Sequence, residues 1–378
     1  MIVSFVLQGL LLHGILYITL FFGVFIVSLY IIPKIREISL RNQLIDSSSH
    51  RSSHMGNVPT FGGVAFYISY ILVLFFSQNL DEHHVSLTLL ASISIVFFTG
   101  LLDDLKNLSP KLKFLGQLVA VGLLMIQPDF RITSLHGFIG IYEIPLTLSI
   151  AGSMFFLLGL VNAFNLIDGI DGLTGITGII VASFYAFMFY TLGSFFYASI
   201  AVTTIATLLA FLRFNFSITR KIFMGDTGSL VIGLVLGLLT LKLLSFGDEA
   251  YVSLSFNRAQ LPLFLIAVLF VPLLDTLRVI LVRAAKGAPI FEPDRNHIHH
   301  IIVDFGLSHR RASFLIGLSN FLAALLMFFI IQLFDFTGSL LVLLLMLFLA
   351  IFILFLMNKN KAAIRMKVKI RQSLLRLF

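Results

Sequence analysis

The sequence predicts an all-α, polytopic integral membrane protein with ten to eleven transmembrane helices. Hydrophobic residues make up 58% of the 378 residues and charged residues only 12%, and the mean hydropathy is +1.03. Soluble domains contain about 45–50% apolar and about 25% charged residues. The apolar residues also fall into long runs, and about 20 such residues cross a bilayer as a helix. These observations together favour a chain that lies almost wholly in a membrane.

Eleven apolar runs are predicted to be membrane spans, and they share short polar connections. The first run lacks a basic segment and a small-residue cleavage site, so it is predicted to be a span and not a removed signal peptide. Between the fourth and fifth runs, "PDFRITSLHGFIGIYEIP" alternates weakly and predicts a small hairpin outside the membrane. The predicted spans are residues 5–32, 60–77, 87–102, 114–127, 146–161, 174–191, 195–212, 229–246, 260–283, 312–333 and 337–357.

Lysine and arginine are concentrated in alternate connections, which predicts the orientation of the chain. Most of the 26 basic residues lie in loops on one side and in the C-terminal tail. Basic loops remain on the cytoplasmic side, so the N-terminus is predicted outside and the C-terminus inside. The net charge of +8 then belongs to the inner face, where the tail can attract anionic lipid headgroups. The basic segments are residues 34–58, 103–113, 213–228, 283–311 and 358–378.

Five polar clusters interrupt the apolar sequence, and all of them fall on the predicted cytoplasmic side. We therefore expect them to converge on one site at the inner membrane surface. No motif indicates nucleic-acid binding, and the absence of cysteine excludes disulfides and thiolate metal sites. The clusters are "HRSSHMGNVPTFGG", "LLDDLKNLSPKLKFLGQ", "NAFNLIDGIDGLTG", "FMGDTGSL" and "EPDRNHIHH".

Carboxylates at membrane depth are costly and usually functional. Several of them on one face would repel each other unless a cation joined them, and oxygen-only ligands favour Mg²⁺ or Mn²⁺. A metal ion with a nearby Lys113 and glycine-exposed backbone amides suits a diphosphate. The alternative is that each aspartate caps or solvates a helix end. The carboxylates in question are Asp103, Asp104, Asp168, Asp171 and Asp226.

Spacing adds detail to two of these clusters. Asn162, Asn165, Asp168 and Asp171 recur at every third residue, so on a helix the first three would share about a third of its circumference. A helix end with polar caps is the alternative. Consecutive helical residues point about 100° apart, so Asp103 and its neighbour need not serve one role.

The histidines His297, His299 and His300 could bind zinc, but no second group of soft ligands accompanies them. Binding of phosphate or proton transfer by imidazole fits better, and Arg295 adds a bidentate donor to oxyanions. The alternative is that this segment is a polar loop without a role in binding or catalysis. His54 and Thr60 in the first cluster are further candidate substrate contacts. Asp275 lies within the ninth run at helical spacing from Arg278, which predicts a structural ion pair.

Four of these motifs in this order, "LLDDLKNLSPKLKFLGQ", "NAFNLIDGIDGL", "FMGDTGSL" and "PDRNHIHH", resemble the polyprenyl-phosphate N-acetylhexosamine-1-phosphate transferase family. The similarity covers nearly the whole chain, and "PDRNHIHH" followed by "DFGLSHR" is similar to its WecA/TagO-type branch. The segment "LIDSSSHRSSH" departs from the family because it lacks the proline of an Asp-x-Pro motif. No role is therefore assigned to Asp46.

The resemblance implies transfer of a sugar-1-phosphate, by default GlcNAc-1-phosphate, from a UDP-N-acetylhexosamine to undecaprenyl phosphate with release of UMP. This would be the first membrane step of a cell-envelope glycan. It also implies a bacterial cytoplasmic membrane protein with its active site on the cytoplasmic face, Mg²⁺ dependence and frequent homodimerisation. Residues 1–357 would then form a single transmembrane catalytic domain, followed by a basic cytoplasmic tail at 358–378.

Matched by position, the resemblance also implies residue roles. Asp226 resembles the metal ligand, and Asp168 is assigned both to metal binding and to catalysis. Asp103 resembles the residue that deprotonates the lipid phosphate or acts as nucleophile, and Asp104 resembles its essential neighbour. Asn165, Asp168 and Lys113 resemble residues of the diphosphate and nucleotide site, and Asn162 and Asp171 are further predicted substrate contacts. The loop that recognises the sugar nucleotide is resembled by Arg295, His297, His299 and His300, and its three histidines are also predicted to be catalytic.

Three alternatives remain open at the level of the sequence. Transfer can proceed directly or through a phospho-aspartate at Asp103 or Asp104. A membrane prenyltransferase also binds metal–diphosphate with aspartate-rich helices, but it would explain neither "GDTGS" nor the histidines. A transporter or lipid flippase would place its polar residues near the bilayer midplane, whereas here they lie at span ends.

Overall fold

The computed structural model describes residues 2–44, 58–77, 80, 83–247, 250–251, 254, 257–287 and 297–375. Over these ranges the chain forms thirteen α-helices and one two-stranded sheet. The elements are α1 Ile2–Arg41, α2 Gly63–Phe76, α3 Ser86–Lys106, α4 Pro110–Leu124, β1 Ser134–Phe138, β2 Ile141–Glu143, α5 Leu146–Ile167, α6 Leu173–Thr191, α7 Phe195–Asn215, α8 Gly225–Ser245, α9 Leu261–Val268, α10 Phe270–Lys286, α11 Ile298–Asp304, α12 His309–Leu333 and α13 Phe336–Leu375.

The predicted all-α membrane class is confirmed. Eight of the described helices are long and apolar enough to cross a membrane, or nine spans if the bent pair α9–α10 counts as one. Each of the eleven predicted spans coincides with a helix or with that pair. The count differs because α2 and α4 have only 14 and 15 residues, which at 1.5 Å per residue is shorter than a hydrocarbon core of about 30 Å. The orientation of the termini stays a prediction.

The small hairpin between the fourth and fifth spans is also confirmed, and its location outside the membrane stays a prediction. Strands β1 and β2 pair antiparallel, with Ser134 opposite Glu143 and Phe138 opposite Ile141. The connection is tight because Ile139 and Gly140 both have positive φ angles, 53° and 75°. Glycine adopts this left-handed region without steric penalty, so Gly140 allows the chain to reverse within two residues.

The chain divides into two compact units. The first contains Met1–Asn165 and Gly178–Ser255, and the second contains Leu166–Thr177 and Phe256–Phe378. The connection between α5 and α6, which carries part of "NAFNLIDGIDGLTG", therefore belongs to the second unit. The expected single catalytic domain over residues 1–357 stays a prediction.

Helix α8 forms the core of the first unit. It is apolar all round and 94% buried along its span, which is typical of a helix surrounded by other helices. Its glycines permit close contacts: a Cβ atom added to Gly233 would lie 2.8 Å from the Cα of Val161, and one added to Gly237 would lie 2.8 Å from Leu157 Cδ2. Small residues at such contacts let helix backbones approach closely. The position of α8 against α5 is thereby fixed.

The C-terminal end of α8 is held by a buried lysine. The Nζ atom of Lys242 lies 3.4 Å from Asp129 Oδ2 and lies over the rings of Tyr197 and Phe246, 5.0 and 4.8 Å from their centroids. A paired charge with aromatic neighbours satisfies the rule that buried charges need partners. This contact anchors the end of α8 that is remote from Asp226.

In the second unit, α9 and α10 meet at a bend of 74°. The side chain of Asn320, on α12, bridges this break because its Nδ2 donates to Val268 O at 3.0 Å and its Oδ1 accepts from Val271 N at 2.8 Å. Pro272 follows immediately and supplies no N–H. A bend leaves backbone groups without helical partners, and the fully buried Asn320 satisfies two of them.

We expect Asn320→Leu to destabilise the protein, because two buried backbone groups would lose their partners at about 1–3 kcal/mol each. The measurement is the thermal unfolding midpoint in detergent. Gln332→Leu is the matched control on the same helix, since the exposed Gln332 only bonds Phe328 O of its own helix. An equal effect of the two substitutions would contradict this role of Asn320.

Candidate active site

Four helix ends of the first unit bring polar side chains together. Asp103 lies in the last turn of α3, Lys113 near the start of α4, Asn165 near the end of α5 and Asp226 in the first turn of α8. The local sequence makes the α3–α4 turn short. Asn107 ends α3 in the left-handed conformation, and Ser109 caps α4 by accepting from Leu112 N, as expected for helix termini.

The ammonium of Lys113 is the centre of this cluster. Its Nζ donates to Asp103 Oδ2 at 3.0 Å and to Asn165 Oδ1 at 3.4 Å, and it forms a shorter ion pair with Asp226 Oδ2. Asn165 Nδ2 also donates to Asp226 Oδ1 at 2.6 Å and to Ser229 Oγ at 2.9 Å. The lysine and the two aspartate side chains are 15–27% exposed. The cluster is thus partly buried but retains access to a ligand.

Asp104 has a different environment from its neighbour. Its Oδ1 accepts from Asp226 N at 2.9 Å, and its Oδ2 accepts from Thr227 N at 2.9 Å and from Thr227 Oγ1 at 2.5 Å. The two backbone N–H groups lie in the first turn of α8, where they have no acceptor within the helix. Asp104, which belongs to α3, therefore caps the N-terminus of α8. The expectation that adjacent aspartates serve different roles agrees with this arrangement.

The backbone beside Asp226 is confined by the segment that contains Thr60. Phe223 N donates to Pro59 O at 2.8 Å, and Gly62 N donates to Phe223 O at 3.0 Å. Gly225 has φ +71° and faces the Thr60 carbonyl so closely that a Cβ atom there would collide with it. A glycine is therefore required at this position. The Thr60 backbone helps to fix the start of α8.

Asn162 is engaged by a residue that the sequence analysis did not single out. Its Nδ2 donates to Gln117 Oε1 at 2.8 Å and to Leu158 O at 2.7 Å. Gln117 is buried on α4, and its Nε2 donates in return to Asn162 Oδ1. Buried amide groups generally have such hydrogen-bond partners. The sequence carried a signal for Gln117, Thr227 and Ser229, because each is a polar residue beside or within an apolar run.

The second unit contains the histidine cluster. His297 Nδ1 lies 2.8 Å from Asp275 Oδ2, and Ile298 N donates to Asp275 Oδ1 at 2.7 Å. The rings of His297 and His299 are parallel with centroids 5.6 Å apart, and His300 lies 4.2 Å from His299. The sequence suggested Arg278 as the partner of Asp275 and did not indicate this contact with the histidine segment, because His297 lies 22 residues away along the chain.

His299 is 2% exposed, and within the described part of the chain neither of its ring nitrogens has a hydrogen-bond partner. Burial, together with the neighbouring His300, His297 and His309, lowers the pKa of His299 to about 2. His299 is therefore a neutral imidazole at physiological pH. Its ring packs against Gly169, where a Cβ atom would lie 2.6 Å from His299 Cε1.

The loop after α5 holds the remaining predicted carboxylates. Helix α5 ends at Ile167, so Asp168 and Asp171 lie beyond it. Of the four polar residues that recur at every third position, only Asn162 and Asn165 are therefore on the helix. Asp171 O accepts from Ser313 Oγ at 2.6 Å, and its Oδ2 lies 3.8 Å from His309 Nδ1. The expectation that Asp168 continues this helical face is wrong, because the helix ends one residue too early.

The predicted residues thus form two groups. Asp103, Asp104, Lys113, Asn165 and Asp226 come together in the first unit, whereas the second unit contains Asp168, Asp171 and the three histidines. That both groups form one pocket stays a prediction. His54 and Arg295 lie outside the described residues.

The side chains around Lys113 include oxygen atoms that could bind a divalent cation. Within the described ranges, no group of three or more His, Asp or Glu side chains is arranged to hold a metal ion. Oxygen atoms of Asp103, Asn165 and Asp226 nevertheless converge on one cationic atom, the lysine Nζ. Mg²⁺ uses oxygen ligands and typically one or two carboxylates. The donor chemistry of the first unit therefore fits a hard cation at Asp226.

A chain of apolar helices with an acid–lysine–amide cluster at its helix ends is a multi-pass membrane protein with a polar site. Residues 86–244 match the family described as glycosyl transferase family 4, and this range includes the whole Lys113 cluster. A Bacillus subtilis protein named probable undecaprenyl-phosphate N-acetylglucosaminyl 1-phosphate transferase is 33% identical over 79% of this chain and 81% of its own length.

Two further relatives have similar names. The Yersinia pestis undecaprenyl-phosphate alpha-N-acetylglucosaminyl 1-phosphate transferase is 29% identical over 80% of this chain and 81% of its own length. The Mycobacterium leprae decaprenyl-phosphate N-acetylglucosaminephosphotransferase is 30% identical over 74% and 76%. This chain therefore belongs to glycosyl transferase family 4. The family expected from the four sequence motifs is confirmed.

We expect Asp104→Asn to destabilise the start of α8, because an amide would direct its NH₂ group at backbone donors that now meet carboxylate oxygens. The loss should be about 1–3 kcal/mol, measured by thermal unfolding in detergent. Asp335→Asn is the matched control, since this exposed carboxylate accepts only from Gly338 N. If Asp104→Asn unfolds no earlier than the control, the capping role is refuted.

We expect Gly169→Ala to displace the His299 ring and lower the unfolding midpoint by an amount equivalent to about 1–3 kcal/mol. Gly159→Ala is the control, because a Cβ atom there meets nothing within 4 Å. In the His299→Ala background, the further substitution Gly169→Ala should lower the unfolding midpoint much less than it does in the wild type. Additive losses would mean that the two residues do not collide.

Proposed function

We propose that this protein transfers GlcNAc-1-phosphate from UDP-GlcNAc to undecaprenyl phosphate, giving undecaprenyl-diphosphate-GlcNAc and UMP. The observation that carries the proposal is the convergence of Asp103, Asn165 and Asp226 on the ammonium of Lys113. A cluster of this kind handles phosphate charge, and the relatives are named for polyprenyl-phosphate acceptors.

The reaction brings two anions together, a lipid phosphate and a nucleotide diphosphate. Phosphoryl transfer depends mainly on positioning and charge stabilisation. Lys113 is held by two carboxylates, so an incoming diphosphate can take over part of that ion pairing. Asn165 keeps the Asp226 carboxylate oriented by donating to Oδ1.

The bond changes are those of a direct displacement. An oxygen of the lipid phosphate attacks the sugar-linked phosphorus, a new P–O bond forms, and the bond to the bridging oxygen breaks so that UMP leaves. Asp103 keeps the attacking phosphate deprotonated, and its Oδ1 is oriented by Leu108 N at 2.7 Å. Asp104 acts through Asp226, because both of its oxygens are occupied by the start of α8. This environment disfavours Asp104 as the nucleophile of a two-step route.

Asp226 is the residue of the first unit that would hold a divalent cation, Mg²⁺ or Mn²⁺. When bound, such an ion would neutralise negative charge on the diphosphate. The metal-binding and catalytic roles of Asp168 rest on the sequence resemblance. The substrate contact assigned to Arg295 rests on the same resemblance, and those assigned to Asn162, Asp171, His54 and Thr60 rest on their places in the polar motifs.

We further propose that the protein resides in a bacterial cytoplasmic membrane with its active site on the cytoplasmic face. The argument is the concentration of lysine and arginine in the loops that carry the polar motifs. UDP-GlcNAc is the proposed donor because the relatives are named for N-acetylglucosamine. Homodimerisation follows from the resemblance alone.

The test is UMP release by the purified protein in detergent with UDP-GlcNAc, undecaprenyl phosphate and Mg²⁺. Asp226→Asn should lower the rate by about 100-fold or more, a loss typical for removal of one electrostatic stabiliser. Glu37→Gln is the control, since its carboxylate is 52% exposed in a surface ion pair with Arg41, which contributes little to stability.

Three outcomes would contradict the proposal. The wild type could release no UMP, it could release UMP equally without the lipid phosphate, or Asp226→Asn could retain the rate of the control. Replacing UDP-GlcNAc by UDP-GalNAc or another UDP-sugar in the same assay identifies the donor. Omission of Mg²⁺ and its replacement by Mn²⁺ identify the cation.

A further inference from the structure

Asp275 is a buried carboxylate that faces the histidine segment from α10. It is 1% exposed, and each of its oxygens has one partner in that segment. Oδ2 lies 2.8 Å from His297 Nδ1, and Oδ1 accepts from Ile298 N at 2.7 Å. Asp275 therefore holds both the ring of His297 and the backbone at the start of α11.

These two contacts decide the tautomer of His297. Asp275 already accepts from Ile298 N, and when it also accepts at Oδ2 the proton between the two side chains is on Nδ1 of His297. In a neutral imidazole the other nitrogen, Nε2, is then an acceptor. The same arrangement of carboxylate and imidazole orients histidines in other enzymes.

His297 differs in this respect from the next histidine. His299 has no hydrogen-bond partner in the described chain, and its ring is located by packing against Gly169 and by the parallel ring of His297. His300 is in turn 4.2 Å from His299. His297 is thus the ring of the three that the contact with Asp275 orients.

We propose that Asp275 is a positioning residue that keeps His297 Nε2 a hydrogen-bond acceptor for a hydroxyl or amide N–H group of the sugar nucleotide. A neutral acceptor nitrogen disfavours phosphate oxygens, which are themselves acceptors, and selects the donor groups of the sugar or nucleoside. This inference rests on the proposed function, because it assigns a contact within the site of the sugar nucleotide.

The decisive variant is Asp275→Asn, which is nearly isosteric. Its Oδ1 can still accept from Ile298 N, but its NH₂ group would face His297 Nδ1 and force the proton to Nε2. We expect the KM for UDP-GlcNAc to rise about tenfold, the loss expected for one hydrogen bond. The KM for undecaprenyl phosphate should stay within about twofold, because the proposed hydrogen bond is made to the sugar nucleotide and not to the lipid.

If Asp275 had only a structural role, its substitution would change the KM values of both substrates alike. Equal changes in both KM values would therefore overturn the inference. Asp335→Asn is the matched control in the same unit, since that carboxylate accepts from Gly338 N and is exposed. The double variant Asp275→Asn/His297→Asn should be no worse than His297→Asn alone, because Asp275 acts through that ring. Additive losses would also overturn it.

A measurement on the wild type makes the test independent of how the variants fold. The ¹⁵N spectrum of histidine-labelled protein at mildly alkaline pH, with His297 assigned from His297→Asn, should show a protonated Nδ1 and an unprotonated Nε2. The opposite tautomer in the wild type would refute the inference. Failure of the wild type to release UMP would instead refute the proposed function, and the spectrum would still decide whether Asp275 sets the tautomer.

Discussion

The compensation of carboxylate charge by Lys113 is the interaction on which the site depends. Asp103 and Asp226 share a partly buried position, and two like charges at such a place repel each other strongly. The ammonium between them removes that repulsion and ties α3, α4 and α8 together at one end. Asn165 extends the arrangement to α5. The ammonium that stabilises these helix ends is the group that the proposed function assigns to phosphate.

Within the first unit, the backbone around this cluster is held by Asp104 and by the glycines of α8. Asp104 is fully engaged with the first turn of α8, and the glycines of that helix fix its distance from its neighbours. In the second unit, the bend stabilised by Asn320 precedes the part of α10 that carries Asp275. A rigid backbone of this kind lets a few side chains be held in productive geometry.

Much of the architecture could be predicted because membrane spans are long and apolar. The positions of eleven runs and the hairpin around Gly140 were predictable from hydropathy and alternation. The lengths of α2 and α4 and the break between α9 and α10 were not. Helix length depends on where caps form, and the break is stabilised by Asn320, which lies 49 residues from Val271. Hydropathy contains no information about such partners.

The sequence by itself determined the membrane class, the family and the residue types of the site, because apolar runs and ordered polar motifs are local properties of the chain. Only the tertiary structure decided which partner each polar group takes. Asp104 caps a helix by accepting from the backbone of Asp226, 122 residues away, whereas the adjacent Asp103 pairs with Lys113. Asp275 binds His297, 22 residues away, a contact that its helical spacing from Arg278 did not indicate. The physical reason is that hydrogen bonds and ion pairs are short-ranged, so their partners are fixed by the packing of helices and not by spacing along the chain.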